Sequence, residues 1–199
     1  LIGYVVGSRG IGAMLGFFTA MFIGQRFPRK SIFVGFMAQV IAGLWLMTIN
    51  LNTSPFEFSL NGILQGFAVG TIWVPLTVVA FSTLDSKDLD ETTAVFHLLR
   101  NIGSSFFISM SVTEIVRSAA MNYEHLTEHV SRFNPVFELP WARGEWDIGS
   151  VEGLARLSGE IVHQASLMSY LNAFGLYTLA SAAAIPLILL VSRPPKPSA

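Results

Sequence analysis

Five long stretches almost free of charge constrain this chain more than any other feature. They run at about residues 4–25, 32–51, 58–84, 92–116 and 166–192. As helices rising about 1.5 Å per residue, each is long enough to cross a hydrocarbon core roughly 30 Å thick. Residues 58–84 and 164–192 contain no Asp, Glu, Lys or Arg. Water does not tolerate that much apolar surface on several separate helices, so the bilayer is the expected solvent. The expected fold class is an all-α, multi-pass membrane protein, a helical bundle with about five transmembrane helices.

The balance of residues agrees. Of the 199 residues, 52% are hydrophobic and 13% charged. Soluble domains carry about 25% charged residues. The formal net charge of −1 offers nothing to a nucleic acid. There is no cysteine, which excludes disulfides and thiolate-ligated zinc. The chain opens Leu1-Ile2-Gly3 without Met and without a basic signal-peptide region. The expectation is a C-terminal piece of a longer protein.

Charge sets the orientation. Arg26, Arg29 and Lys30 share the short loop between the first two spans, which places that loop in the cytoplasm. Alternation puts the 52–57 turn outside, the 85–91 turn inside, residues 118–165 outside and the basic tail 193–199 inside. The domain reading follows: transmembrane helices in 1–117, an extracytoplasmic (periplasmic) loop at 118–165, a last span at 166–192 and a cytoplasmic tail. Thr53-Ser54-Pro55 reads as a helix stop and restart.

Small residues mark expected packing faces, with Gly10, Ala13 and Gly16 on the first span and Gly62, Gly66 and Gly70 on the third. Pro75 frees a backbone carbonyl and is expected to kink its helix, which also suits a helix that gates a pathway. The outer segment holds Glu124, Glu128, Glu138, Glu145, Asp147, Glu152 and Glu160 against Arg132, Arg143 and Arg156, so it is acidic. Val151, Leu154, Leu157 and Ile161 share one helical face and predict an amphipathic helix over about 150–164 that leads into the last span. Pro135, Pro140, Trp141 and Trp146 predict irregular structure before it, with the Trp pair as interfacial anchors.

Few residues within the spans can carry chemistry. Arg100 lies about nine residues into the fourth span, roughly 13 Å deep. A central Arg costs about 2.5–3.5 kcal/mol to insert, so it should face a water-filled cavity or a carboxylate. It is a candidate substrate or coupling contact, or else one member of a fixed ion pair or a snorkelling cation. No carboxylate in the five spans sits at a matching depth. His97, one turn earlier, is a candidate polar contact on the same pathway, or else a polar packing residue. Gln65 and Asn61 on the third span can hydrogen-bond across helices or to a ligand. Arg9 is placed to snorkel. Glu114 and Arg117 are spaced for a local pair, with a coupling carboxylate at Glu114 as the other reading. His125-Leu126-Thr127-Glu128-His129 matches the H-x-x-E-H zinc-peptidase pattern, but a loop of this size is no protease domain. There is no phosphate-cradling glycine loop. No cofactor or metal is expected.

Several segments together resemble a known family. Gln65-Gly66-Phe67-Ala68-Val69-Gly70, Val74-Pro75-Leu76-Thr77 and Leu84 are similar to the QGxGxG…PL…L stretch of the major facilitator superfamily. Ala94 to Ser105, with Arg100-Asn101 at its centre, resembles the xxNxxRNxGGS helix of that family's fourteen-helix drug:proton antiporter branch, the EmrB/QacA type. Arg9-Gly10-Ile11-Gly12-Ala13-Met14 resembles its PRGxGAM segment, and Gln164-Ala165-Ser166 followed by Tyr170 to Phe174 resembles the start of its last helix. The resemblance implies the last five of fourteen helices, in a fold of two six-helix halves around a central cavity with two extra helices between them. It implies proton-driven export of amphipathic compounds by alternating access, with the proton gradient as energy source and the inner membrane as location. It further implies a periplasmic adaptor and an outer-membrane channel as partners in Gram-negative members. His97 stands where the branch usually has Asn, Asn172 where many members have Asp, and Gln25 where an acid is expected. The other class open to this chain is a non-transporting membrane scaffold or receptor that acts through residues 118–165.

Overall fold

The computed structural model describes residues 2–24, 26–82, 89–131 and 133–188. Gln25, Leu84, most of the acidic 85–91 turn, Arg132, the end of the last span and the basic tail lie outside the described residues. The described chain is helical with no strand among its residues. Helix α1 (Ile2–Thr19) runs into a π-helical turn (Ala20–Gly24), followed by α2 (Pro28–Leu46), α3 (Pro55–Phe81) and α4 (Leu89–Glu128). A 3₁₀ turn (Pro135–Glu138), the short α5 (Pro140–Glu145) and α6 (Val151–Leu187) complete it.

Four helices among the described residues are long and apolar enough to span a membrane: α1 with its π turn, α2, α3 and α6. The fifth expected span lies within α4, whose 40 residues are ample in length. Arg100, Asn101, Ser104, Ser105, Ser109, Ser111 and Glu114 dilute its apolar content. Phe18, Phe22, Leu99 and Phe106 stand 60–75% exposed on the helix surfaces, which suits lipid and not water.

The chain divides into two compact units, Leu1–Phe106 with Phe174–Ala199, and Phe107–Ala173. In the first unit, α1 and α3 make the most extensive helix contact. It depends on glycine. A Cβ on Gly12 would strike the backbone of Ile63, one on Gly16 the backbone of Phe67, one on Gly66 the backbone of Arg9 and one on Gly70 the backbone of Ala13. Two helices without a water-driven hydrophobic force between them gain contact energy by bringing their backbones this close. The α1 half of the seam differs from the expected Gly10, Ala13 and Gly16 set. Gly10 has open space around its missing Cβ, and Gly12 takes its place.

Local signals set the helix starts. Ser54 caps α3 by accepting from the Glu57 amide at 3.4 Å, and Pro55 takes the first helical position, where no donor is needed. Pro28 does the same for α2. Asp90 and Glu91 fall in the first turn of α4, where the helix dipole favours them.

Pro75 lies inside α3, which continues through it as one helix. A proline has no N–H for the carbonyl four residues back, which is that of Thr71. Ser31 of α2 supplies the missing donor: its Oγ donates to the Thr71 carbonyl at 2.9 Å. Pro75 is fully buried, and Gly24 in the π turn leaves room for its ring. The π turn and the start of α2 thus meet α3 at Pro75 and the carbonyl it frees. Higher up, Gly43 of α2 makes room for Thr178 of α6, and Gly35 makes room for Ile72 of α3.

In the second unit the expected loop is largely helical. Helix α4 runs without a break across the 117/118 boundary, and α6 begins at Val151 and passes straight through 165/166. Leu157 and Ile161 are buried, whereas Val151, at the helix start, is 87% exposed. Asn134 closes the chain beyond α4, donating to the His129 carbonyl at 2.8 Å and capping the 3₁₀ turn through the Val136 amide. The Trp141 and Trp146 rings pack edge to face, with centroids 5.9 Å apart.

Two measurements test the packing. Gly66→Ala is expected to lower stability in detergent by about 1–3 kcal/mol through overpacking, while Gly10→Ala leaves thermal unfolding unchanged or slightly raised. Ser31→Ala should cost about 1 kcal/mol. That cost should shrink in a Pro75→Ala background, where the helix regains its own donor for Thr71.

Candidate functional site

A cation inside a bilayer needs a partner, and Arg100 finds an aromatic one. Its guanidinium carbon lies 5.2 Å from the centroid of Trp73 on α3. The indole face is negative and attracts the cation. The Asn101 side-chain oxygen accepts from Arg100 at 3.4 Å. Trp73 and Arg100 lie at nearly equal sequence distance from the turn between α3 and α4, so an antiparallel pair brings them to one depth.

Next to this pair is a groove of about 420 Å³ between α3 and α4, lined by Trp73, Thr77, Phe81, Thr93, Phe96 and His97 together with Leu89. The Phe81 and Phe96 rings lie 5.5 Å apart, and Phe96 meets His97 edge-on at 5.8 Å. Thr77 turns its hydroxyl back to the Trp73 carbonyl at 2.8 Å, and Thr93 does the same to Leu89. The groove therefore presents aromatic faces with His97 as its polar edge, and Arg100 lies beside it over the Trp73 ring. Such a surface suits a flat amphipathic molecule held by stacking, with one polar contact.

The other residues singled out from the sequence separate into different settings. Asn61 is only 2% exposed and donates to the Ala42 carbonyl of α2 at 2.9 Å. Gln65 donates to the Asn61 side-chain oxygen at 2.8 Å. These two amides thus join α3 to α2. Pro75 sits in the buried junction with Ser31 and Gly24. Arg29 and Lys30 begin α2, and Arg26 and Lys30 lie over the Phe27 ring at 5.7 and 5.1 Å.

Glu114 belongs to the second unit. No ion pair joins it to Arg117 among the described residues. Ser118 instead donates to its carboxylate at 2.8 Å, and Asn172 of α6 donates to the Ser118 oxygen at 3.0 Å. The His125 and Glu128 side chains are exposed and 3.8 Å apart. His129 falls in the turn after α4, its Nδ1 within 2.9 Å of the His125 carbonyl oxygen. No group of three potential metal ligands occurs among the described residues.

Sequence reasoning passed over Trp73, Phe81 and Phe96, which look like ordinary apolar residues in a membrane helix. The signal available was their register about the α3–α4 turn. It also passed over Gln39, which is buried in α2 with its side-chain oxygen unpaired among the described residues.

Several bilayer-length apolar helices, packed through glycine seams, define a multi-pass all-α membrane protein. Its curated relatives are multidrug resistance and export proteins. The chain is 27% identical over 171 residues to the probable multidrug resistance protein EmrY of Escherichia coli K12, a match over 84% of this chain and 33% of that protein. It is 22% identical over 142 residues to the multidrug export protein EmrB of Haemophilus influenzae, covering 70% of this chain and 28% of the relative. Over 72 residues it is 32% identical to the E. coli K12 multidrug export protein EmrB, 36% of this chain and 14% of that one. The chain thus spans about a third or less of the length of these relatives. No family model matches it, and no solved structure does. The resemblance to the EmrB/QacA-type branch agrees with these relatives.

The Arg100–Trp73 contact is testable as a pair. A double-mutant cycle with Arg100→Gln and Trp73→Leu, read by thermal unfolding in detergent, is expected to give a coupling of about 0.5–2 kcal/mol.

Proposed function

We propose that this chain is part of a secondary transporter of the inner membrane that exports drugs or other amphipathic small molecules, driven by the proton gradient through alternating access. The observation that carries this reading is the aromatic groove at Arg100 and Trp73, in a chain whose relatives are named for multidrug export and resistance. Arg100 is the polar contact for the substrate. Trp73, Phe81 and Phe96 are its stacking surface, and His97 adds a polar ring at its edge. Binding here needs only a flat apolar body and one polar group, which supports a broad substrate range.

Proton coupling calls for a carboxylate in the membrane. Glu114, held by Ser118, whose oxygen in turn accepts from Asn172, is the candidate within this chain, and the acids of the remaining helices are the others. The acidic composition of residues 118–165 suits a periplasmic adaptor that leads to an outer-membrane channel.

The experiment is efflux by the full-length protein. Arg100→Ala is expected to reduce pH-gradient-driven export in proteoliposomes by at least about tenfold, with membrane insertion intact. Unchanged export would remove Arg100 from the path. If proteoliposomes show no gradient-driven flux and deletion of 118–165 removes all function, the scaffold reading takes its place.

A further inference from the structure

A second groove opens in the first unit where the start of α2 meets the end of α6. It holds about 380 Å³ and is lined by Arg29, Lys30, Phe33, Val34 and Ile188. Its wall is almost wholly apolar and its rim carries Arg29 and Lys30; none of its lining residues among the described residues is acidic. Lys30 and the nearby Arg26 both lie over the ring of Phe27, which holds two cations close together at the helix start.

The apolar wall continues along α2. Lys30, Val34, Met37, Ile41 and Leu44 follow one another at spacings of three and four, so they form one stripe. Val34, Met37, Ile41 and Leu44 are all exposed. From Lys30 to Leu44 the stripe is roughly 21 Å long at helical rise, more than the depth of one leaflet in a core about 30 Å thick. A cationic head position above a leaflet-deep apolar track matches the two ends of a phospholipid.

We propose that this groove binds one anionic phospholipid, with its phosphate at the Arg26–Lys30 cations and an acyl chain along the α2 stripe. Basic pockets between transmembrane helices at the cytoplasmic side recognise such headgroups, and Ile188 beside Arg29 shows that the α6 end and the basic loop share one side. A zwitterionic lipid satisfies the track equally well, so charge at the rim sets the choice. The assignment is independent of what the protein transports.

The test uses full-length protein with a fluorophore on Val34→Cys, reconstituted in phosphatidylcholine containing a small fraction of brominated phosphatidylglycerol or brominated phosphatidylcholine. The anionic lipid is expected to reach the label with about fivefold preference, the scale set by one cation at a membrane surface. Lys30→Glu should abolish that preference and Lys30→Arg should keep it. Native mass spectrometry of the unlabelled protein should show one fewer retained phosphatidylglycerol in Lys30→Glu. Equal quenching by the two lipids overturns the proposal, as does an indifferent Lys30→Glu. Absence of quenching by either lipid means that a protein segment covers the stripe, which also overturns it. Millimolar glycerol phosphate should leave the preference intact; its loss would assign the cations to a soluble phosphate.

Discussion

The first unit rests on the backbone approach of α1 to α3. Lipid tails are as apolar as the helices, so burying Leu or Phe between two spans gains little. What does gain is contact at a distance a Cβ would forbid, and Gly12, Gly16, Gly66 and Gly70 remove the obstacle on both sides. With that seam closed, α2 packs on α3 through Gly35. Helix α4 meets α3 through large side chains, Trp73 and Phe81 against Phe96 and Arg100. The side-chain contact leaves the groove between α3 and α4, whereas the glycine seam brings two backbones into contact.

The same solvent dictates what polar residues do. A backbone carbonyl without a donor costs several kcal/mol in hydrocarbon, so the one that Pro75 frees is taken by Ser31. Asn61 and Gln65 are consumed in a comparable way, by the Ala42 carbonyl and by each other. Membrane polarity therefore divides into groups that join helices and groups that stand at a groove. Arg100 and His97 are of the second kind, because their neighbours are ring faces and not backbone.

Much of the fold is legible in the order of the residues. Charge-free runs locate α1, α2, α3 and the inner part of α6, since span length follows from bilayer thickness. Ser54-Pro55 with Glu57 marks a helix start through atoms of its own turn. The outer segment was less legible. The shared face of Val151, Leu154, Leu157 and Ile161 marked the helix that leads into the last span, and α6 starts at Val151; the continuation of α4 to Glu128 was not marked, because a charged side chain on a helix face does not end the helix. The prolines at 135 and 140 sit at first-turn positions, where they begin short helices and break none.

The candidate site was legible only as isolated polar residues. Arg100 announced itself through its insertion cost, and His97 through its place one turn away. That Trp73 would take the cation, and that Asn61 would be lost to packing, depended on which faces of α3 and α4 oppose each other. A single chain order determined the solvent, the spans and the unusual charge within them, because those follow from transfer free energies of the residues themselves. Only the tertiary structure decided which glycines touch, which donor reaches the freed carbonyl and which ring covers the arginine, because those are contacts between residues far apart along the chain.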